Sequence, residues 1–447
     1  MDDALKNFDK KFKDKSGLKW ADRGEKPKPG KYVFVERSYE PDSEDEDDSA
    51  TKPGASRSTD DYKPPECTLA PPVKSLMELI FNQQYFEATM ASLNYDSAKL
   101  PLGKLSKATI TRGYQALKDL SDLLEDSSLA AKYDLSVPAA TEHLSNLYYS
   151  TIPHSFGRNR PPIISTNQQL KREIELMESL TDLKDADLIM KKEKQTEDIH
   201  QLDSRFQGLG MEEMTPLDPK GEEFAGVSDY LLKTTGQTHS VNYKVLDVFR
   251  VKRQGEDDRF IKHEESDSDR RLLWHGSRAT NYGGILGQGL RIAPPEAPVN
   301  GYMFDKGIYL ADMSSKSANY CCPYDSGGQA LLLLCEAELG NPMQVLTNAQ
   351  YDAGSTAKQK GMISTWGQGL TAPKGLKDAG FLHPSLKGVK IVSDSAAGFV
   401  LRILTFVTHS PIRKRSPATQ TWAAPTCNTT SSSAMTLRKS VCVTSCA

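Results

Sequence analysis

The sequence lacks the glycine motifs of common nucleotide-binding folds and any apolar run of membrane length. The sequence contains no GxGxxG fingerprint of dinucleotide-binding folds and no GxxxxGK[ST] loop of nucleoside triphosphatases. Neither fold is therefore supported. The longest apolar run, residues 330–335, is far shorter than the roughly 20 residues that span a bilayer. We therefore expect no membrane partner.

The seven cysteines lack the spacing of a metal site. No CxxC pair occurs and no histidine stands at ligand spacing, which predicts free thiols rather than a zinc site or a disulfide framework. The first residues also lack the basic and then apolar profile of a signal peptide. We expect a reducing compartment and no bound metal. The cysteines are Cys67, Cys321, Cys322, Cys335, Cys427, Cys442 and Cys446.

Charge is nearly balanced overall but unevenly distributed. The 447 residues carry 56 Lys and Arg against 59 Asp and Glu, which excludes a uniformly basic nucleic-acid coat. Residues 6–31 are rich in lysine with interleaved aromatics, a pattern equally typical of a nucleic-acid-facing module and of a solvated surface. Acidic residues dominate positions 40–48, and Ser, Thr and Pro follow. Because such a stretch buries little apolar area, we predict a disordered linker over 41–66.

Helical periodicity dominates the next part of the chain. Apolar residues recur at spacings of three and four over 73–93 and again over 105–124. Pro71 and Pro72 can open the first helix, and Asn167 is expected to cap the helix that carries Leu170 and Ile174. The pattern predicts an all-helical bundle of four or more helices up to about residue 205.

Short strand-like runs replace the helical pattern after Gly208. They lie at 245–251, 272–274, 307–310, 330–335 and 389–392, broken by Gly and Pro. Few helical stretches separate them, which favours an antiparallel or mixed sheet over a wound parallel one. The predicted fold class is α+β, with an all-helical bundle followed by a mixed or antiparallel β-sheet domain.

Polar and aromatic residues follow several of these strands. His275, Gly276 and Ser277 come directly after one strand, where the glycine backbone lets a flat ligand approach. Tyr309 and Tyr320 lie downstream among glycines and serines, and tyrosines can stack on a flat ring. Taken singly, the histidine is better explained by a structural role, and each tyrosine by an ordinary place in the core.

In combination, these segments resemble the catalytic region of the poly(ADP-ribose) polymerases, which are diphtheria-toxin-like ADP-ribosyltransferases. The resemblance rests on LLWHGSR (272–278), GLRIAPPEAP (289–298), GYMF (301–304) and GIYLADMSSKSANYC (307–321). Upstream, LPLGKLS (100–106) and YYSTIPHSFG (148–157) are similar to that family's helical regulatory domain. A plain helical scaffold or a pure DNA-binding protein would not account for these strings.

The N-terminal residues resemble the end of a WGR domain through FDKKFKDKSGLKW (8–20) and PKPGKY (27–32). The Trp-Gly-Arg signature is absent, so we expect the chain to begin inside that module. The resulting domain prediction is a WGR fragment at 1–40, the acidic linker at 41–66 and the helical regulatory domain at 67–206. The catalytic domain follows at 207–410, with the family pattern lost after about 392, and a low-complexity tail occupies 411–447.

The resemblance implies a role for each matching residue, with NAD as the substrate and no metal. His275 would bind a ribose hydroxyl and the Gly276 backbone would bind the nicotinamide carboxamide. Tyr309 and Tyr320 would sandwich the nicotinamide ring, while Ser317 would bond its amide oxygen. His275 and Tyr309 are the residues expected to act in catalysis.

Further matching positions surround the rest of NAD. Ser277, Asn281 and Arg291 would line the adenosine side, and Lys316 would lie beside the ring site. The implied reaction is substitution at the nicotinamide ribose carbon through a transition state comparable to that of glycoside cleavage. The resemblance also implies that protein acceptors would receive the ADP-ribose, that damaged DNA would be a partner through the incomplete WGR region, and that the location would be the nucleus.

One part of the family pattern is missing. Polymer-forming members carry a Glu in a late Asn-Glu-Tyr segment, whereas the last Glu here is Glu338. Three explanations are open: a truncated or misread C-terminus, which we favour, a transferase limited to single additions, or a non-catalytic NAD-binding protein. Without this Glu, chain elongation by the chain as given is expected to be impaired or absent.

Overall fold

A computed structural model describes most of the chain between residues 65 and 393. The described residues are 2–25, 30–34, 65–192, 199–236, 244–256, 260, 268–371 and 375–393, with the backbone of strands at 401–408 and 438–446. Nearly all of the predicted linker, most of the predicted tail and Cys427 lie outside them. No described helix is both long enough and apolar enough to cross a membrane.

Six of the described helices, between Pro71 and Gly208, lie in the region for which the periodicity predicts a helical bundle, whereas the other five lie outside it. The described helices are α1 (Asp2–Ser16), α2 (Pro71–Ile80), α3 (Gln83–Ser92), α4 (Lys107–Glu125), α5 (Val137–Thr151), α6 (Asn167–Lys192), α7 (Gln201–Gly208), α8 (Glu222–Lys233), α9 (Tyr282–Gln288), α10 (Ser314–Ala318) and α11 (Ala353–Gln359).

The ends of two helices test the predicted caps. Helix α2 begins at Pro71, as predicted. The prediction for Asn167 is wrong by one residue: Asn167 is already helical, and the hydroxyl of Thr166 accepts a hydrogen bond from the Gln169 amide at 3.2 Å. Both residue types cap helices well, so only the backbone conformation decides between adjacent candidates.

The chain divides into two compact units, each discontinuous in sequence. The first comprises Met1–Arg57, Met90–Lys184 and Pro295–Gly301. Within it, α4 packs against α5, and a Cβ at Gly113 of α4 would lie 2.8 Å from Ile152 and 2.9 Å from Met177. The absence of a side chain at this position therefore allows the close helix contact.

An aromatic cluster joins α1 to the residues that follow it in the same unit. Trp20 lies 5.0 Å from Phe8, 5.1 Å from Phe12 and 5.2 Å from Phe34 between ring centroids, all in edge-on geometry. The aromatic residues interleaved with the lysines therefore pack on one another.

The second unit comprises Ser58–Thr89, Asp185–Pro294 and Tyr302–Ala447, and it holds the strands. These are β1 (Met211–Pro216), β2 (Lys244–Arg253), β3 (Arg270–Ser277), β4 (Ile308–Leu310), β5 (Gln329–Glu338), β6 (Gln344–Leu346), β7 (Ser364–Thr371), β8 (Leu376–Asp378), β9 (Lys390–Val392), β10 (Leu401–Thr408) and β11 (Arg438–Cys446).

Two mixed sheets are formed by these strands. One has the order β1-β2-β11-β5-β3-β9-β8 and the other the order β4-β10-β7-β6. All pairings are antiparallel except β3 with β9 and β6 with β7. Strand β5 is buried on both faces, which explains why its sequence is a continuous apolar run rather than an alternating one. The helical region followed by mixed sheets confirms the α+β prediction.

Candidate active site

The end of β3 approaches the chain at α10 so closely that only glycine fits. A Cβ on Gly276 would lie 1.9 Å from the carbonyl oxygen of Ser317. The backbone of Trp274 exchanges hydrogen bonds with Ala311 at 2.7 and 2.9 Å. Because strand geometry repeats every two residues, the amide and carbonyl of Gly276 point toward that same side of β3. They present one donor and one acceptor side by side.

His275 is oriented by the strand that carries Tyr309. Its Nδ1 lies 3.0 Å from the Tyr309 carbonyl oxygen. Burial lowers the pKa of His275, opposed by this hydrogen bond, so the ring is neutral at pH 7. A carbonyl can only accept, hence Nδ1 carries the proton and Nε2 keeps its lone pair. The site thus contains an imidazole acceptor suited to a hydroxyl donor.

Tyr309 is held rigidly by its phenol group. Its hydroxyl donates to the Asp305 carbonyl at 2.7 Å and accepts from the Phe304 amide at 3.0 Å. The ring stacks on Tyr302 with centroids 6.1 Å apart and planes inclined by 25°. Tyr302 belongs to the GYMF string, but its contact with Tyr309 was not foreseen from the sequence.

Ser317 and Tyr320 lie on and just after α10. The Ser317 hydroxyl donates to the Trp274 carbonyl at 2.8 Å, and its own carbonyl accepts from the Tyr320 amide at 3.1 Å. Ser317 is 5% exposed, whereas Tyr320 is 51% exposed. Tyr320 therefore has an open ring face, while the Ser317 hydroxyl would have to turn from Trp274 to donate to a ligand.

The residues expected on the adenosine side lie in two places. Asn281 donates from Nδ2 to the Ser277 hydroxyl at 3.0 Å, which fixes both side chains. Arg291 forms an ion pair with Asp185 of α6, with Nη1 and Oδ2 2.6 Å apart. Its guanidinium is thus engaged by a residue of the same compact unit.

Comparison with known proteins agrees with this geometry. Residues 221–398 match the pattern described as "Poly(ADP-ribose) polymerase catalytic domain", and residues 67–206 match "Poly(ADP-ribose) polymerase, regulatory domain". The two matches together cover more than two thirds of the chain. The chain belongs to the poly(ADP-ribose) polymerase family.

Relatives in this family align over most of the chain. Poly [ADP-ribose] polymerase 2-A of Oryza sativa subsp. japonica is 42% identical over 83% of this chain and 53% of its own length. Poly [ADP-ribose] polymerase 2 of Homo sapiens is 40% identical over 83% of this chain and 61% of its own length. Poly [ADP-ribose] polymerase 1 of Gallus gallus is 35% identical over 83% of this chain and 34% of its own length. The chain thus spans about a third to three fifths of these relatives.

Strand β10 lies beside the strand that carries Tyr309. β10 pairs antiparallel with β4, with Val407 opposite Tyr309 and Phe406 opposite Leu310. Its sequence, LRILTFVT, contains no Asp or Glu. No glutamate follows Glu338 in the sequence.

A buried carboxyl group lies near the ring site and was missed from the sequence. Asp312 is 3% exposed, and neither of its carboxylate oxygens has a hydrogen-bond partner among the described residues. Burial raises its pKa to about 7, opposed by the nearby backbone amides and by the charges of Lys316 and Arg271. Lys316, expected beside the ring, therefore also lies within electrostatic reach of Asp312.

The structure brings several predicted residues together and leaves others separate. The contacts described above join His275 to Tyr309, Gly276 to Ser317 and Ser317 to Tyr320. Ser277 and Asn281 form a second pair, whereas Arg291 contacts Asp185. Asp185 could be found only through the fold, because a single acidic residue on a helix carries no signal of its own.

Proposed function

We propose that this chain is an NAD-dependent protein ADP-ribosyltransferase that transfers ADP-ribose to protein acceptors and releases nicotinamide. The proposal rests on the backbone at Gly276, here called the Gly276 cradle, where a side chain on residue 276 would collide with Ser317. A flat carboxamide needs one donor and one acceptor in its own plane, which is what the Gly276 backbone offers.

The surrounding residues fit the rest of such a substrate. The free lone pair on His275 Nε2 suits a ribose hydroxyl, and the rigid Tyr309 with the exposed Tyr320 suits a flat ring between them. Bound NAD would supply the ADP-ribosyl group and the nicotinamide leaving group. The residues here would hold the ribose and the ring in one orientation, which by itself accelerates a reaction at the bond between them.

A second candidate is favoured by the absence of a carboxylate on β10. Without the family's late Glu, no group on that strand would activate the acceptor or bind the ribose hydroxyls. Loss of a general base typically lowers a rate by about 10²–10⁴-fold. The chain would then add single ADP-ribose units, or bind NAD without turnover.

One experiment separates these possibilities. The purified full chain is incubated with NAD labelled in the adenine ring and with protein acceptors, and nicotinamide release and product length are measured together. Products that carry one ADP-ribose unit would support a transferase limited to single additions, and polymers would support full polymerase activity. NAD binding without nicotinamide release would show that the chain binds NAD but does not turn it over. If the chain neither binds NAD nor releases nicotinamide, the proposal is refuted.

Two matched variants test whether nicotinamide release depends on His275. His275→Ala removes the Nε2 acceptor and should abolish nicotinamide release. His383→Ala is the control, because His383 contacts Ser385 rather than the site. Equal loss in both variants would contradict the assignment of His275.

The wider setting follows from the family and remains part of the proposal. We place the regulatory region at 67–206 and the catalytic region at 207–410, with a role in the DNA damage response in the nucleus. Protein acceptors and damaged DNA are the proposed partners, the DNA through the lysine-rich residues of α1 and the segment after it. Binding of α1-containing chain to nicked duplex DNA, lost at high salt, would support the DNA contact.

A further inference from the structure

A thiol, an imidazole and a carboxylate meet at the start of α7. Ligand atoms of Cys67, His200 and Asp203 all lie within 4.8 Å of one another. Thr68, the neighbour of the cysteine, is 135 residues from Asp203 in sequence. No motif spacing could reveal this cluster, since the fold alone brings the segment before α2 to the beginning of α7.

The carboxylate of Asp203 is positioned by Thr68, which is not one of the three ligand residues. It is 6% exposed, and the Thr68 amide donates to both of its oxygens at 3.1 Å. The Thr68 hydroxyl donates to Oδ1 as well. Burial acts to raise the pKa of Asp203, but hydrogen bonds from Thr68 and the Cys67 thiol, with His200 nearby, lower it. Such outer hydrogen bonds orient metal ligands in known sites.

His200 lies beside this carboxylate and is partly accessible. Its Nδ1 is 3.7 Å from Asp203 Oδ2 and accepts a hydrogen bond from the Leu202 amide at 3.1 Å. Its side chain is 29% exposed, and Cys67 is half-buried, so an ion can enter from solvent. Coordination through Nδ1 would exchange one neutral hydrogen bond for a metal bond.

We propose that Cys67, His200 and Asp203 bind one Zn²⁺ ion, with a water in the fourth tetrahedral position. Thiolate sulfur, imidazole nitrogen and carboxylate oxygen are the ligand types that zinc takes in proteins. One thiolate and one carboxylate balance the two charges of the ion, and the thiol proton is released to solvent on binding. The ion would fasten the segment before α2 to α7 and thereby stabilise this part of the chain.

Cobalt substitution tests the proposal directly. The full chain is freed of metal with a chelator and titrated with Co²⁺, whose bond to a thiolate gives a near-ultraviolet charge-transfer band. We expect one equivalent of Co²⁺ to produce this band and one equivalent of Zn²⁺ to remove it. Zinc should also raise the melting temperature of the metal-free chain.

Two cysteine variants identify the ligand. Cys67→Ser keeps a group that can donate to Asp203 but should abolish the band, whereas Cys322→Ser, at a half-buried cysteine outside the cluster, should retain it. His200→Asn preserves an acceptor for the Leu202 amide and should weaken zinc binding by at least about tenfold. No band at stoichiometric Co²⁺, or a band that persists in Cys67→Ser, would overturn the proposal.

Discussion

Replacing the buried carboxyl group of Asp312 with an amide should change how stability depends on pH. Asp312 is 3% exposed, lines a cavity of about 310 Å³ and has no hydrogen-bond partner for its carboxylate oxygens among the described residues. Asp312→Asn keeps nearly the same shape but cannot ionise. Any cost that arises from the charge should therefore disappear in the variant.

The magnitude follows from the raised pKa. Burial moves the pKa of Asp312 from 3.8 to about 7, and each unit corresponds to about 1.4 kcal/mol, so the ionised form destabilises the fold by about 4 kcal/mol. The folded state holds the proton more tightly than the unfolded state. The stability from this group is thus fully present below pH 3.8 and is lost as the pH rises through about 7.

The assay is urea unfolding of both chains between pH 4 and pH 8.5. The stability of Asp312→Asn relative to the original chain should rise over this range by about 4 kcal/mol and level off above pH 7. Asp229→Asn is the control, because the Asp229 side chain is 58% exposed on α8. A difference for Asp312→Asn that stays constant with pH would refute the reasoning, whatever its absolute size.

Two further predictions concern the site. Gly276→Ala places a Cβ 1.9 Å from the Ser317 carbonyl oxygen, and the forced displacement should lower kcat/KM for nicotinamide release by about 10²-fold or more; an unchanged value would contradict the cradle. Asp185→Asn removes the charge that holds Arg291, and NAD affinity measured by calorimetry should rise by up to about fivefold, as expected for a partly exposed pair. Asp187→Asn, two residues along α6, is the matched control, and an equal gain there would point to net charge instead.

The spacing of apolar residues predicted helices and strands because buried positions recur with the period of each kind of element. Strand β5 was recognisable as a strand from its apolar run, and α4 from apolar residues at spacings of three and four. The cap at Asn167 was misassigned because Thr166 and Asn167 are chemically similar caps. Whether a helix or strand forms depends on many residues at once, whereas the residue at which it begins depends on the backbone conformation of one residue.

Side-chain environments were harder to predict. Nothing near Asp312 in sequence distinguishes it from an exposed aspartate, and its burial results from strands and helices distant in the chain. Tyr302 likewise acquires its role only by stacking on Tyr309. The cluster of Cys67, His200 and Asp203 was invisible for the same reason, and the expectation that no metal binds came from the cysteine spacing and from the family resemblance.

By itself, the sequence determined the family and the order of helical and sheet regions, since ordered strings such as LLWHGSR and the periodicity of apolar residues are properties of neighbouring positions. Only the tertiary structure decided that Gly276 faces Ser317, that Arg291 pairs with Asp185 and that the strand beside Tyr309 lacks a carboxylate. Each of these depends on distances between residues far apart in the chain. Such distances are set by packing of the whole unit, which no local pattern records.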